Sequence, residues 1–212
     1  MSEFRFDNVL VLAPHTDDGE LGAGGFISKL VESGSQVHYL AFSIAEDSVP
    51  DGFPKDILAT EVINATSRLG IDSSRVYVKR YPVRKLSAYR QEVLEDMIGY
   101  RKALKPDLVL LPCTTDIHQD HKTVCEEGIR AFKNITILGY ELIWNNLEFQ
   151  AQCAVKLEEK HIEAKINALR EYNSQGKRDY LSEDFIRSQA RTRGVQFGAQ
   201  YAEAYQVIRL AL

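Results

Sequence analysis

A chain of 212 residues, 44% of them hydrophobic and with a formal net charge of -4, has the length and composition of one globular α/β domain. Acidic and basic residues are interspersed and form no basic stripe, so no nucleic-acid partner is expected. The charged segment 1–7 and the short apolar run 9–13 make neither a signal sequence nor a span of about 18 apolar residues, so a cytoplasmic protein without a membrane anchor is expected.

Taken in chain order, the apolar run 8–13 reads as a buried parallel strand that enters Pro14 and a polar cluster. After several glycines, 21–31 reads as a helix, followed by a strand at 36–45. Residues 54–69 carry apolar positions at helical spacing (Ile57, Leu58, Val62, Ala65, Leu69) and stop at Gly70. A short strand at 75–78, a helix at 90–104 ahead of Pro106 and a strand at 107–111 ahead of Pro112 follow. A helix at 122–132 and a strand at 135–139 continue the alternation; two amphipathic helices, 161–172 and 183–191, and a last strand at 204–210 complete the chain. Alternating strands and helices predict a Rossmann-like, mostly parallel sheet with helices on both faces. No repeat or linker interrupts the pattern, so a single domain over 1–212 is expected. Cys113, Cys125 and Cys153 are odd in number and scattered, as free thiols in a reducing compartment would be.

In open α/β sheets the chemistry sits just past the carboxyl ends of the strands. Two polar clusters lie there: Pro14-His15-Thr16-Asp17-Asp18-Gly19-Glu20 after the first strand, and Asp116-Ile117-His118-Gln119-Asp120-His121 after the strand at 107–111. A helix-capping turn explains either cluster alone, since Asp favours N-caps. Both at strand ends in one short domain point to a metal site. Imidazole nitrogen with carboxylate oxygen suits zinc, and a two-His, one-carboxylate set also suits Fe(II).

The segment Ala13-Pro14-His15-Thr16-Asp17-Asp18, the run Gly22-Ala23-Gly24-Gly25 and the His118-Gln119-Asp120-His121 box resemble the PIG-L/LmbE-like deacetylase family. Glu61, Ala65 and Leu69-Gly70, then Lys165, Ala168-Leu169, Ser174-Gln175 and the stretch from Gly198 through Tyr205, extend the resemblance over nearly the whole chain. The resemblance implies zinc-dependent removal of an N-acetyl group from an amino-sugar conjugate, a small molecule. It implies that His15, Asp18 and His121 hold the zinc and that Asp17 is the general base. It assigns His118 to the oxyanion, with Asp120 orienting it. Physical chemistry agrees: zinc brings the pKa of a bound water toward about 7, a neighbouring carboxylate can take the proton, and a protonated imidazole can meet the developing charge. The other readings are hydrolysis of a different acyl bond, an ester or another N-acyl group, and a non-catalytic carbohydrate-binding relative.

The sequence departs from the family pattern at Thr16, where a proline is common, at Gly19, which separates Glu20 from the aspartates, and at Leu58, where an arginine is often found. Asp116 stands where some relatives carry a tyrosine acid, so no proton donor beyond His118 is assigned. Trp144 reads as packing, and His38 and His161 as structural. Arg80, Arg84 and Lys85 follow the third strand and fit either contact with a phosphate or carboxylate or a solvated loop.

Overall fold

A computed structural model describes residues 6–176 and 178–211; positions 1–5 of the charged N-terminal segment lie outside the described residues. Among the described residues, seven strands form one sheet: β1 (Asn8–His15), β2 (Gln36–Ser43), β3 (Val76–Val78), β4 (Leu108–Pro112), β5 (Thr136–Tyr140), β6 (Cys153–Leu157) and β7 (Tyr201–Arg209). Their order is β3-β2-β1-β4-β5-β7-β6. The first five pair in parallel, and β7 runs antiparallel to both β5 and β6. The expected mostly parallel α/β sheet is therefore present.

Among the described residues the α-helices are α1 (Asp18–Glu32), α2 (Ile57–Arg68), α3 (Arg90–Leu104), α4 (Gln119–Ala131), α5 (Glu159–Leu169) and α6 (Glu183–Phe197). Successive strand residues point to opposite faces, so β1 feeds two cores. Val9, Val11 and Ala13 pack with α1, α2, α5 and α6, whereas Leu10 and Leu12 pack with α3 and α4. From β1 the chain builds outward through β2 and β3, then returns to lay β4 on the other side of β1. That reversal opens a crevice at the carboxyl ends of β1 and β4, the usual ligand position in such sheets.

Four differences from the sequence reading have physical causes. Helix α1 starts at Asp18 rather than 21, because its glycines weaken the helical signal while serving close packing. A Cβ on Gly22 would stand 2.2 Å from Cδ2 of Tyr140, and one on Gly19 would stand 2.6 Å from the Tyr39 ring. Helix α4 starts at Gln119, so the second polar cluster forms its N-terminus rather than a preceding loop. Strand β6 was not expected; it is a five-residue edge strand, half-buried and without alternation. Helix α6 runs on to Phe197 and ends on Gly198 in the left-handed region. Cys113, Cys125 and Cys153 are free, and no described helix is long and apolar enough to cross a membrane.

Candidate active site

Strand β1 ends on His15, and the turn Thr16–Asp17 carries the chain directly into α1. This places His15, Asp17 and Asp18 at one strand end. Helix α4 contributes from the other side of the crevice: His118 is its N-cap and His121 lies in its first turn. Three ligand atoms converge. Nδ1 of His15 lies 3.1 Å from Oδ2 of Asp18, Nε2 of His121 lies 3.2 Å from the same oxygen, and the two nitrogens are 3.2 Å apart. Ligands at the 2.0–2.1 Å zinc distance and tetrahedral angles stand about 3.3 Å from one another, so this triangle fits a zinc-sized ion. A ring nitrogen of His118 also falls within 4.8 Å of those of His15 and His121. The tighter triangle is the one closed by Asp18.

Each imidazole of the triangle is held from behind by a carboxylate. Nε2 of His15 meets Oδ2 of Asp120 at 3.0 Å, and Nδ1 of His121 meets Oδ2 of Asp116 at 2.8 Å. Carboxylates on the distal nitrogen set the tautomer and ring direction of metal-ligating histidines. Asp120 is fully buried, and its oxygens also accept the backbone amides of Arg84 at 2.5 Å and Leu86 at 3.1 Å. The carboxylate expected to orient His118 thus faces His15 instead. What Asp120 offers His118 is its backbone N–H, which donates to Nδ1 at 3.2 Å. The cause is helical geometry, since the N-cap side chain reaches back over the first turn while the next side chains point away from it.

Electrostatics follow from this packing. Burial alone would lower the pKa of both triangle histidines, but Asp18 and the carboxylates behind them outweigh it, raising His15 to about 9 and His121 to about 10. Asp18 is itself pushed down despite burial, by His121 and His15. His118 is pushed down to about 4 by burial and by the neighbouring His121 and His15. With Nδ1 accepting from Asp120, His118 is a neutral ring whose Nε2 carries the proton, where an imidazolium was expected. Asp17, half-buried, is raised to about 6, first by burial and then by Asp18. As the N-cap of α1 it makes no side-chain capping bond.

Behind the turn sits Glu20, fully buried. Oε1 accepts from the Tyr172 hydroxyl at 2.9 Å, and Tyr39 bonds the other oxygen. Both hydroxyls also reach the carbonyl of Thr16, at 2.7 Å from Tyr172 and 2.9 Å from Tyr39. Burial raises the Glu20 carboxyl to about 8. The network braces the turn that carries the site.

A cleft of about 310 Å³ opens over the triangle, lined among others by Asp17, Leu58, Arg84, His118, Asn145 and Arg178. Trp144, expected as packing, forms part of its wall and stacks on Tyr180 with ring centroids 4.1 Å apart. His38 and His161 do have structural contacts: His38 Nδ1 lies 3.3 Å from the Tyr77 hydroxyl, and His161 completes a capping box at the start of α5. Arg80 is paired to Glu46 at 2.9 Å. Sequence reasoning missed Asp116 as a partner of His121, and also Asn145, Arg178 and Tyr180. These reach the site from loops, where no periodicity marks them.

Comparison with known proteins gives the class of this site. The PIG-L family, described as GlcNAc-PI de-N-acetylase, matches residues 10–132, which include all of the triangle. A diacetylchitobiose deacetylase of Thermococcus kodakarensis is 26% identical over 227 residues, an alignment covering 94% of this chain and 82% of that protein. Among solved structures, the conserved protein TT1542 of Thermus thermophilus superposes with a TM-score of 0.81 at 24% identity, covering 97% of this chain and 96% of that one. N,N'-diacetylchitobiose deacetylase of Pyrococcus horikoshii superposes with a TM-score of 0.78 at 22% identity, covering 96% and 84%. These superpositions establish the shared fold. The chain belongs to the PIG-L family and is by class a hydrolytic N-deacetylase.

Proposed function

We propose that this cleft hydrolyses the N-acetyl group of an amino-sugar conjugate with the help of a divalent ion, zinc by preference, held by His15, Asp18 and His121. The observation that carries the reading is the triangle of ligand atoms 3.1 to 3.2 Å apart, steered from behind by Asp116 and Asp120. When bound, the ion supplies Lewis-acid polarisation and makes water a nucleophile near neutral pH. The sugar class comes from the family and from the relatives that act on diacetylchitobiose, and the chain is taken to act as one domain over 1–212.

The protein's own groups then divide the work. Asp17 lines the cleft beside the triangle with its carboxylate uncommitted to capping, so it can take a proton from the attacking water as the new C–O bond forms. His118 presents Nε2–H to the carbonyl oxygen as charge gathers there. When the C–N bond breaks, Asp17 returns its proton to the departing amine, and acetate and a free amino sugar result. Retention of an uncommitted carboxylate favours an enzyme over a binding relative, because a purely structural ion has no use for a base.

The test is mass spectrometry of products from a panel of N-acetylated amino-sugar conjugates, with metal content measured on the same sample. His121→Ala is expected to lose both metal and hydrolysis. Parental metal occupancy and rate in that variant would remove the assignment.

A further inference from the structure

Helix α1 carries a run of glycines whose second half faces neither the cleft nor a strand ring. A Cβ on Gly24 would stand 2.9 Å from Cγ of Lys165, and one on Gly25 would stand 3.2 Å from Oε1 of Glu203 and 2.5 Å from Cδ1 of Leu157. Lys165 on α5 and Glu203 on β7 are both buried and form an ion pair at 2.7 Å. A pair taken out of water is costly unless its other donors and acceptors are matched too. Here the matching groups are the backbone of α1.

Nζ of Lys165 donates to the carbonyl of Leu21 at 2.7 Å. Oε1 of Glu203 accepts the amide of Gly25 at 3.0 Å, and Oε2 accepts the amide of Phe26 at 2.7 Å and the hydroxyl of Tyr205 at 3.0 Å. In an α-helix the carbonyl of one residue bonds the amide four residues on, so Leu21 and Gly25 are the two ends of one rung. The ion pair engages both. A cation on a carbonyl and a carboxylate on amides are the charges that suit a helix C-terminus and N-terminus. Electrostatically, α1 is therefore two helices in series, a first turn closed by Lys165 and a body opened by Glu203, although its backbone is helical throughout.

The first turn is the part that bears the site. It begins at Asp18, and the Leu21 amide donates to the carbonyl of Asp17 at 3.0 Å. Contacts thus run from Glu203 through Lys165 and the Leu21 peptide to the turn that holds Asp17 and Asp18. Neither charged residue lines the cleft. From this we infer that Lys165 and Glu203 are positioning residues for the ligand triangle: the buried pair sets the first turn of α1, and with it the Asp18 carboxylate, against His15 and His121. The inference stands on the geometry of the triangle and rests on the proposed ion only where that ion is the probe.

The test is the double substitution Lys165→Met with Glu203→Gln in the full chain. Removing one partner of a buried pair strands the other charge, whereas neutralising both often changes stability little. The Leu21–Gly25 rung is then free of the pair, and the first turn follows the body of α1. Glu203→Gln alone, which keeps an amide oxygen toward the ammonium, serves where the double variant does not fold. Two readouts are taken at one pH near neutral. In the metal-free protein, ¹⁵N imidazole spectra report the ring contacts of His15 and His121, with His38, whose partner is Tyr77, as control. Zinc affinity is read by competition with a chromophoric chelator. The His15 and His121 signals are expected to move while His38 stays, and zinc affinity to fall about tenfold or more, the scale of losing a group that orients a ligand, with a melting temperature near the parent's. Unchanged ring signals in a folded variant, or zinc affinity that stays at the parental value, overturns the inference and leaves the pair a packing feature. Ring signals that move with the pair in a protein whose parent binds no zinc keep the positioning role and overturn the ion reading instead.

Discussion

Oδ2 of Asp120 lies 3.0 Å from Nε2 of His15, joining two residues that are 105 positions apart. The contact locks the first turn of α4 to the end of β1, the two elements that must meet for the triangle to exist. Asp120→Asn keeps the size and one acceptor oxygen but presents an amide where the charge stood. A lost carboxylate behind a ligating imidazole costs about 10–100-fold in metal affinity, and that loss is expected here by competition with a chromophoric chelator. Unchanged affinity in a variant that melts normally would show that Asp120 serves only the amides of Arg84 and Leu86.

Metal uptake should release protons. Asp18 and the carboxylates behind the two rings push His15 up to about 9 and His121 up to about 10, which favours protonated rings at neutral pH, while a metal ligand must be neutral. Up to two protons therefore leave on binding, and affinity should climb as pH rises through the neutral range and level off above about 10. The slope is up to about 100-fold per pH unit for two protons. Calorimetry in buffers of different ionisation enthalpy counts them directly. A release below one proton would place the ion on other groups.

How much of this was legible in the sequence depended on the range of the interaction. Strand β1 and the turn after it were readable, because an apolar run that stops at a polar cluster is a local signal. The start of α1 was not: Gly19 and Gly22 weaken helical propensity, and the rings of Tyr39 and Tyr140 that require them lie on distant strands. Asp120 stands two residues from His118, so adjacency suggested that they pair. Helix geometry turns the carboxylate to His15 instead, and nothing local announces a partner across the crevice. The tie from Asp116 to His121 is short in sequence but runs from the loop after β4 into α4, so it depended on where α4 begins. Strand β6 lacked any period, as a half-buried edge strand does.

Gly22 tests the packing of α1 on the sheet. Its Cβ would collide with Tyr140, and that ring cannot swing freely because its hydroxyl donates to the carbonyl of Leu12 at 2.9 Å. Gly22→Ala is expected to cost about 1–3 kcal/mol by overpacking, read as a shift in the denaturation midpoint. Gly99 in α3 is the control, since a Cβ there meets nothing within 4 Å. Gly99→Ala should stabilise by up to about 1 kcal/mol. Equal effects at the two sites would mean the α1 contact is not tight in solution.

His118 and His121 should separate cleanly. His118→Ala is expected to lower kcat by about 10²–10³, the scale of one lost oxyanion donor, with metal content retained. Stoichiometric metal loss in that variant would make His118 a ligand, which its ring nitrogen's position within 4.8 Å of those of His15 and His121 makes a concrete alternative.

Asp17 is the test of the proposed general base. It is next to Asp18 in sequence, yet the triangle is closed by Asp18 alone, and Asp17 lines the cleft without a capping bond. Asp17→Asn removes the basic oxygen and changes little else in volume. Metal content and folding should stay near parental, because neither the triangle nor the helix cap depends on the Asp17 carboxylate. The rate should fall by about 10²–10⁴, the contribution of a positioned general base. The acidic limb of the pH–rate profile should go with it, since on the proposed mechanism the parental limb is expected to report the ionisation of this carboxyl, which burial and Asp18 raise to about 6. A parental rate with a parental acidic limb would mean that another group takes the proton, and the division of labour proposed for Asp17 and His118 would be wrong even with the ion bound as described.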